Sequence, residues 1–230
     1  MALIDPGERE SAAPERAYRS IRHALLSGQF QLGDSLPEER FASQLSLSRT
    51  PVREALRRLA AEGLVEILPN RGARVPVWGP TELDAIFELR LRLEGFATSL
   101  AAGRADSRAV EDLSALADAM DRQSRTKRGV QLEIPALNNE FHLRIVQASD
   151  SPRLQALTAN AISFGLVSHT FRIYTNHDLR RSMQHHREIV DAIRHRDPEW
   201  AESVMRSHLL AARRILKSYT SIDGSPPPRD

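Results

Sequence analysis

With 230 residues, 41% of them hydrophobic and 27% charged, the chain is long enough for one large or two modest domains with a real core. It contains no cysteine, which excludes disulfides and thiolate metal sites and fits a cytoplasmic location. No apolar run approaches the roughly 20 residues of a membrane span, the N-terminus is polar rather than signal-like, and a net charge of +2 excludes a general polycation.

Residues 1–13 (MALIDPGERESAA) mix charge, Pro and Gly without period and read as a flexible leader. From Pro14 a helix is expected, with Tyr18, Ile21, Leu25 and Leu26 spaced three and four apart, stopping at Ser27-Gly28. A turn follows at Gly33-Asp34. A second helix opens near Pro37, where a missing N–H costs nothing because first-turn N–H groups have no helical partner, and it carries Phe41, Ala42 and Leu45. A third helix begins around Ser48, a favourable N-cap, with Pro51 in its first turn. Val52, Leu56, Leu59 and Ala60 form its apolar stripe, while Arg49, Arg53 and Arg57 recur at steps of four on another face. Gly63 ends it. The strand-like runs at residues 64–68 and 73–77 flank the turn cluster Pro69-Asn70-Arg71-Gly72. Together these predict a winged helix-turn-helix over residues 14–77.

Residues 78–80 read as a linker. The pattern then changes to helix after helix, about 81–103, 107–127, 132–149, 152–175, 178–196 and 198–218, which predicts an all-α bundle of six. Asp106-Ser107, Asp150-Ser151-Pro152 and Asp197-Pro198 mark three junctions. Residues 124–131 read as a basic solvated loop and 221–230 as a flexible tail. The fold class is mainly α.

Between residues 40 and 76 stand seven arginines against three acids. A helix in the major groove reads base edges with side chains near its N-terminus, and Arg can bind guanine bidentately. Arg49 and Arg53, with Ser48 and Thr50 beside them, are placed for groove and phosphate contacts. Arg40 suits the groove rim, and Gly72 with Arg71 suits a wing tip that approaches DNA closely. An exposed basic helix face is commonplace by itself; the combination with cap, turn and wing is specific. The run LSLSRTPVREALRRLAAEGLVEILPNRGARV, preceded by GDSLPEERFASQL, resembles the N-terminal domain of GntR-superfamily transcriptional regulators. The resemblance implies a homodimer on a short palindromic operator in double-stranded DNA. It also implies DNA contacts at the positions of Arg40, Arg49, Arg53 and Arg71-Gly72.

In the second domain His142, His186 and His208 lie on the apolar faces of three different predicted helices, and Asn138 precedes His142 by one turn on the same face. Three imidazoles and one oxygen donor pointing into a bundle suit a divalent first-row metal such as Zn or Ni with open positions remaining. The competing reading is three hydrogen-bonded core histidines, and spacing alone does not bring them together. His169, His177, His185 and His195 read as surface or pocket-rim residues.

The segments ELRLRLEGFATSLAA, FHLRIVQAS, HREIVDAIRHRD and MRSHL resemble the FCD ligand-binding domain of the FadR branch, and six helices resemble its VanR-like subgroup. The resemblance implies metal ligands at His142, His186 and His208, with a fourth at Asn138, where metal-binding members carry Asp. It implies a small organic acid as effector, reached by Arg90 on the first helix; an i,i+4 salt bridge between Arg90 and Glu94 is the other reading of that residue. The function expected is a ligand-responsive transcriptional regulator, in the sense of a repressor, and not an enzyme. The alternative is a metal-dependent hydrolase carrying a DNA-tethering module. Against it, no carboxylate is evident on the His-bearing faces to serve as a general base.

Overall fold

The computed structural model describes residues 6–26, 29–69, 71–125, 133–159 and 164–221. They form two compact units, one built on Met1–Val77, the other chiefly on Trp78–Ile162 and Val167–Asp230. No helix among the described residues is long and apolar enough to cross a membrane.

The first unit contains α1 (Pro6–Leu26), β1 (Ser35–Leu36), α2 (Glu38–Leu45), α3 (Arg49–Ala61), β2 (Glu66–Leu68) and β3 (Gly72–Arg74). Helix α1 begins at Pro6 rather than Pro14, so the end of the expected leader is helical and Pro14 lies inside the helix. Apolar periodicity, the signal used to place its start, begins only with the residues that reach the core. Ala17 and Ile21 of α1, Phe41 of α2, and Val52, Leu56 and Leu59 of α3 are buried together with Leu36 and Ala73 of the sheet. The turn between α2 and α3 places Ser46 at φ 53, and Leu47 N–H donates to the Ala42 carbonyl at 2.9 Å. Helix α3 stops where Gly63 takes φ +70, a conformation open to glycine without a Cβ clash.

The wing strands are shorter than the apolar runs, and the sheet has a third strand that those runs do not announce. β1 pairs antiparallel with β3 (Ser35 with Arg74, Leu36 with Ala73), giving the order β1-β3-β2. Two residues are too few to show alternation, and what holds β1 is the full burial of Leu36. Asn70 of the wing turn lies outside the described residues.

The second unit is helical: α4 (Pro80–Arg104), α5 (Ser107–Ser124), α6 (Ile134–Ala148), α7 (Pro152–Ala159), α8 (Phe164–Ile173), α9 (Asn176–Arg194) and α10 (Pro198–Ser221). Pro80, read as the last linker residue, is the first residue of α4. Where one helix is expected over 152–175, two helical segments stand, with residues 160–163 between them outside the described residues. Most of the expected basic loop and the tail also fall outside them, at 126–132 and 222–230. The junction acids act as caps: Asp106 accepts from Ala109 N–H at 2.7 Å and Asp197 from Trp200 N–H at 3.0 Å. Thr175 and Asp178 form a reciprocal capping box at the start of α9. The core is Leu83, Phe87 and Leu91 of α4, Leu113 and Met120 of α5, Phe141 and Ile145 of α6, Ile189 and Ile193 of α9, and Met205 and Leu209 of α10.

Candidate functional site

Each unit presents one polar constellation. In the first, Ser48 is the N-cap of α3 in extended conformation, but its side chain makes no capping hydrogen bond. Its hydroxyl is therefore not committed to the helix end. Ser48, Arg49, Thr50 and Arg53 are all exposed and occupy the N-terminal half of α3. Arg40 of α2 is exposed with its guanidinium 5.5 Å from the centre of the Phe30 ring, a cation–π placement.

Glu38, a residue the sequence did not single out, organises two of these arginines. Arg53 donates through Nε and Nη2 to the two Glu38 oxygens, each at 2.8 Å, and Arg49 reaches the same carboxylate at 3.4 Å. Arg53 above all, against the opposing effect of partial burial, holds the Glu38 carboxyl below its usual range. The signal was its position at the start of α2, an acid facing an Arg-rich helix start.

At the wing, Arg71 is exposed, and Gly72 has φ +81. The close approach at Gly72 is internal: a Cβ there would lie 2.8 Å from the Leu36 carbonyl oxygen and 3.4 Å from Pro37 Cα. The glycine seats β3 against the end of β1, a role independent of the DNA approach expected of it.

In the second unit the three histidines come together. His142 on α6, His186 on α9 and His208 on α10 are buried, and each offers a ring nitrogen within 4.8 Å of the others. Buried imidazole nitrogens without partners are costly, of the order of 1–3 kcal/mol each. Here His142 Nε2 and both His186 nitrogens have no hydrogen-bond partner, nor does Oδ1 of buried Asn138. Burial, followed by the neighbouring imidazoles, holds His186 and His208 well below the ordinary histidine range. Neutral rings with unused lone pairs and one amide oxygen fit a divalent transition ion.

The α4 helix supplies a carboxylate that the sequence reading did not find. Glu94 is buried and pairs with His142 Nδ1 at 2.5 Å and with Arg90 Nε at 2.6 Å. Burial pushes this carboxyl up, but Arg90 and then His142 outweigh it and hold it at about 2. An ionised carboxylate only accepts, so the Nδ1–H of His142 is given to Glu94, and the ring nitrogen left without a partner is Nε2. Arg90 makes the i,i+4 pair, lying within the same buried network and 5.5 Å from the Phe87 ring centre. The clue was available: Arg90 and Glu94 share the face of Leu83, Phe87, Leu91 and Ala97, where a polar pair needs an internal reason.

His208 also lines a small crevice with Tyr174, Asp178, Arg181, Ser182 and His185. The Ser182 hydroxyl is buried and has no partner. His177 and His195 are exposed and His185 is half-buried, as expected. His169 is not a surface residue. It is buried beside the Trp78 and Tyr219 rings, at 6.4 and 5.4 Å, and burial lowers it to about 4. The apolar residues on either side of it in FGLVSHTF, rather than its own polarity, decide its place.

Comparison with known proteins gives two family matches: residues 13–75 match the bacterial regulatory proteins of the gntR family, and residues 85–211 match the FCD domain. The chain is 32% identical over 187 residues to the "Probable D-xylose utilization operon transcriptional repressor" of Paenarthrobacter nicotinovorans, covering 81% of each. It is 27% identical over 206 residues to the HTH-type transcriptional repressor GlaR of Escherichia coli, covering 87% of this chain and 94% of that protein. Among solved structures, E. coli McbR/YncC superposes with a TM-score of 0.69 at 22% identity, covering 90% of this chain and 98% of that one, a likeness of fold.

Proposed function

The chain belongs to the gntR family of bacterial regulatory proteins, with an FCD domain behind its DNA-binding unit, and from that membership we propose how its two units divide the work. The protein is a DNA-binding transcriptional regulator and not an enzyme, as its relatives' names agree. The hydrolase alternative falls with that finding, and Glu94, although close to the histidines, is committed to Arg90 and His142.

In our reading the helical unit holds a divalent cation, Zn²⁺ or Ni²⁺, on His142, His186, His208 and Asn138. The observation that carries it is the convergence of three buried imidazoles, with unpartnered nitrogens on His142 and His186. A bound ion supplies open coordination positions that a carboxylate can fill. Glu94 orients His142, and Arg181, Ser182 and His185 stand beside His208, where they would meet the carboxylate of a small organic acid. Arg90 acts on the effector through Glu94 rather than by direct contact. The protein works as a cytoplasmic homodimer on a palindromic operator, with Arg40, Ser48, Arg49, Thr50, Arg53 and the Arg71-Gly72 wing tip against the duplex. Its two α3 helices then stand about one DNA turn apart, roughly 34 Å. An effector shifts operator affinity only by as much as it prefers one arrangement of the DNA-binding units over the other.

Elemental analysis of the full chain tests the site. Wild-type protein should carry a divalent metal and the His142→Ala, His186→Ala double variant none; equal metal in both would reject it. Fluorescence anisotropy on an operator fragment chosen from a random library, with a panel of small acids, tests the response. Unchanged operator affinity with every acid, in metal-loaded protein, would reject the effector half.

A further inference from the structure

The donor set in the buried cluster is electrically neutral, and that has consequences for what can bind. Three imidazoles coordinate as neutral groups, and Asn138 adds an amide oxygen without charge. Glu94 is the carboxylate in contact with the cluster, and Arg90 cancels its charge from 2.6 Å away on the same helix. Asp178, at the crevice, is committed as well. It accepts from Thr175 in the α9 capping box and from Arg181 at 3.2 Å. A divalent ion in this pocket would therefore bring two positive charges into a buried site with no net negative charge among these groups. Burying an uncompensated charge is strongly unfavourable.

We propose that a divalent cation enters this pocket as a pair with a small anion, because Asn138 leaves the ligand set without charge. The inference rests on the metal-site reading above and goes beyond it, since it makes metal and anion mutually dependent ligands. The residues beside His208 offer the anion its partners: the Arg181 guanidinium, His185, and the buried, unpartnered Ser182 hydroxyl as a donor. The coupling is reciprocal. The anion tightens the metal by the same factor as the metal tightens the anion, so neither alone fills the pocket well. A carboxylate at position 138 would supply charge from within the protein and loosen that dependence.

The test uses the full chain, stripped with chelator and titrated with Ni²⁺ by calorimetry in a weakly coordinating perchlorate medium, with and without acetate at equal ionic strength. For the wild type, acetate should tighten Ni²⁺ by about 5- to 150-fold, the usual range of coupling between ligands. The near-isosteric Asn138→Asp variant, its folding checked by circular dichroism, should bind Ni²⁺ more tightly without acetate and lose most of the acetate effect. Should it misfold, the wild-type titration decides alone. Equal wild-type affinity in both media, with Ni²⁺ binding abolished by His142→Ala and His186→Ala together, would overturn the pairing and leave the metal site standing. No Ni²⁺ binding by wild type or Asn138→Asp in either medium would overturn the metal site itself.

Discussion

Two glutamates show how the two units differ. Glu38, itself 11% exposed, clasps Arg53 and Arg49 at the surface, where the arginine side chains are 52% and 62% exposed. Glu94 clasps Arg90 and His142 in the core, where the side chains are at most 5% exposed. The chemistry is the same, carboxylate against cation, but water decides what each pair is for. At the surface the attraction is screened, the ions are resolvated when they part, and the arginines can exchange a carboxylate for a phosphate or a guanine edge. In the core neither partner has water to fall back on, so the pair is a fixed part of the framework that aims His142.

The largest expected effect tests the buried side of this contrast. Glu94→Ala leaves a guanidinium buried without its partner and should destabilise the folded chain by about 3–5 kcal/mol in urea unfolding. A loss under about 1 kcal/mol would mean the core pair is as replaceable as a surface one. Next comes acid. His186 and His208 have folded pKa values below the unfolded value, so the unfolded chain takes up more protons below about pH 6.5 and stability falls there, at up to about 1.4 kcal/mol per pH unit for each ring. Glu94, held low, adds its own loss only below about pH 4.5, as pH falls toward 2. Thermal melts in chelator should show the first decline between pH 7 and 5.5; a flat profile there would contradict neutral buried rings.

The surface side has smaller signatures. Arg53→Ala should weaken specific operator binding by roughly ten- to a hundredfold with the melting curve unchanged, the size of one bidentate base contact. A normal footprint would remove Arg53 from the recognition surface. Smallest is Glu38→Gln, which releases both arginines from a competing charge. It should raise DNA affinity a few-fold, more on random sequence than on the operator, in anisotropy titrations at fixed salt. Lower affinity would instead mark Glu38 as holding the arginines in their reading posture.

The same contrast explains what could be read before the structure. The apolar stripe of α3 and the caps Asp106 and Asp197 are local patterns, and local patterns are visible along a chain. The faces of His142, His186 and His208 were legible for that reason too. Their meeting point was not, because it depends on how α6, α9 and α10 pack, which no single helix encodes. Glu94 was half legible: its i,i+4 partner was seen, but the third member, His142, comes from another helix. β1 escaped because two residues carry no period, and His169 because its neighbours set its burial.

Gly72 bears on how such a regulator could be retargeted. Its α-carbon faces the Leu36 carbonyl, one residue before Pro37 caps the helix that bears Glu38 and Arg40. A side chain there would meet both a forbidden backbone angle and a neighbouring main chain, and the displacement would be passed to α2. A library built to change operator preference should therefore randomise Arg71 and hold Gly72 constant. Diversity at the glycine would be spent on unfolded wings, whereas diversity one residue earlier stays on a surface that tolerates it.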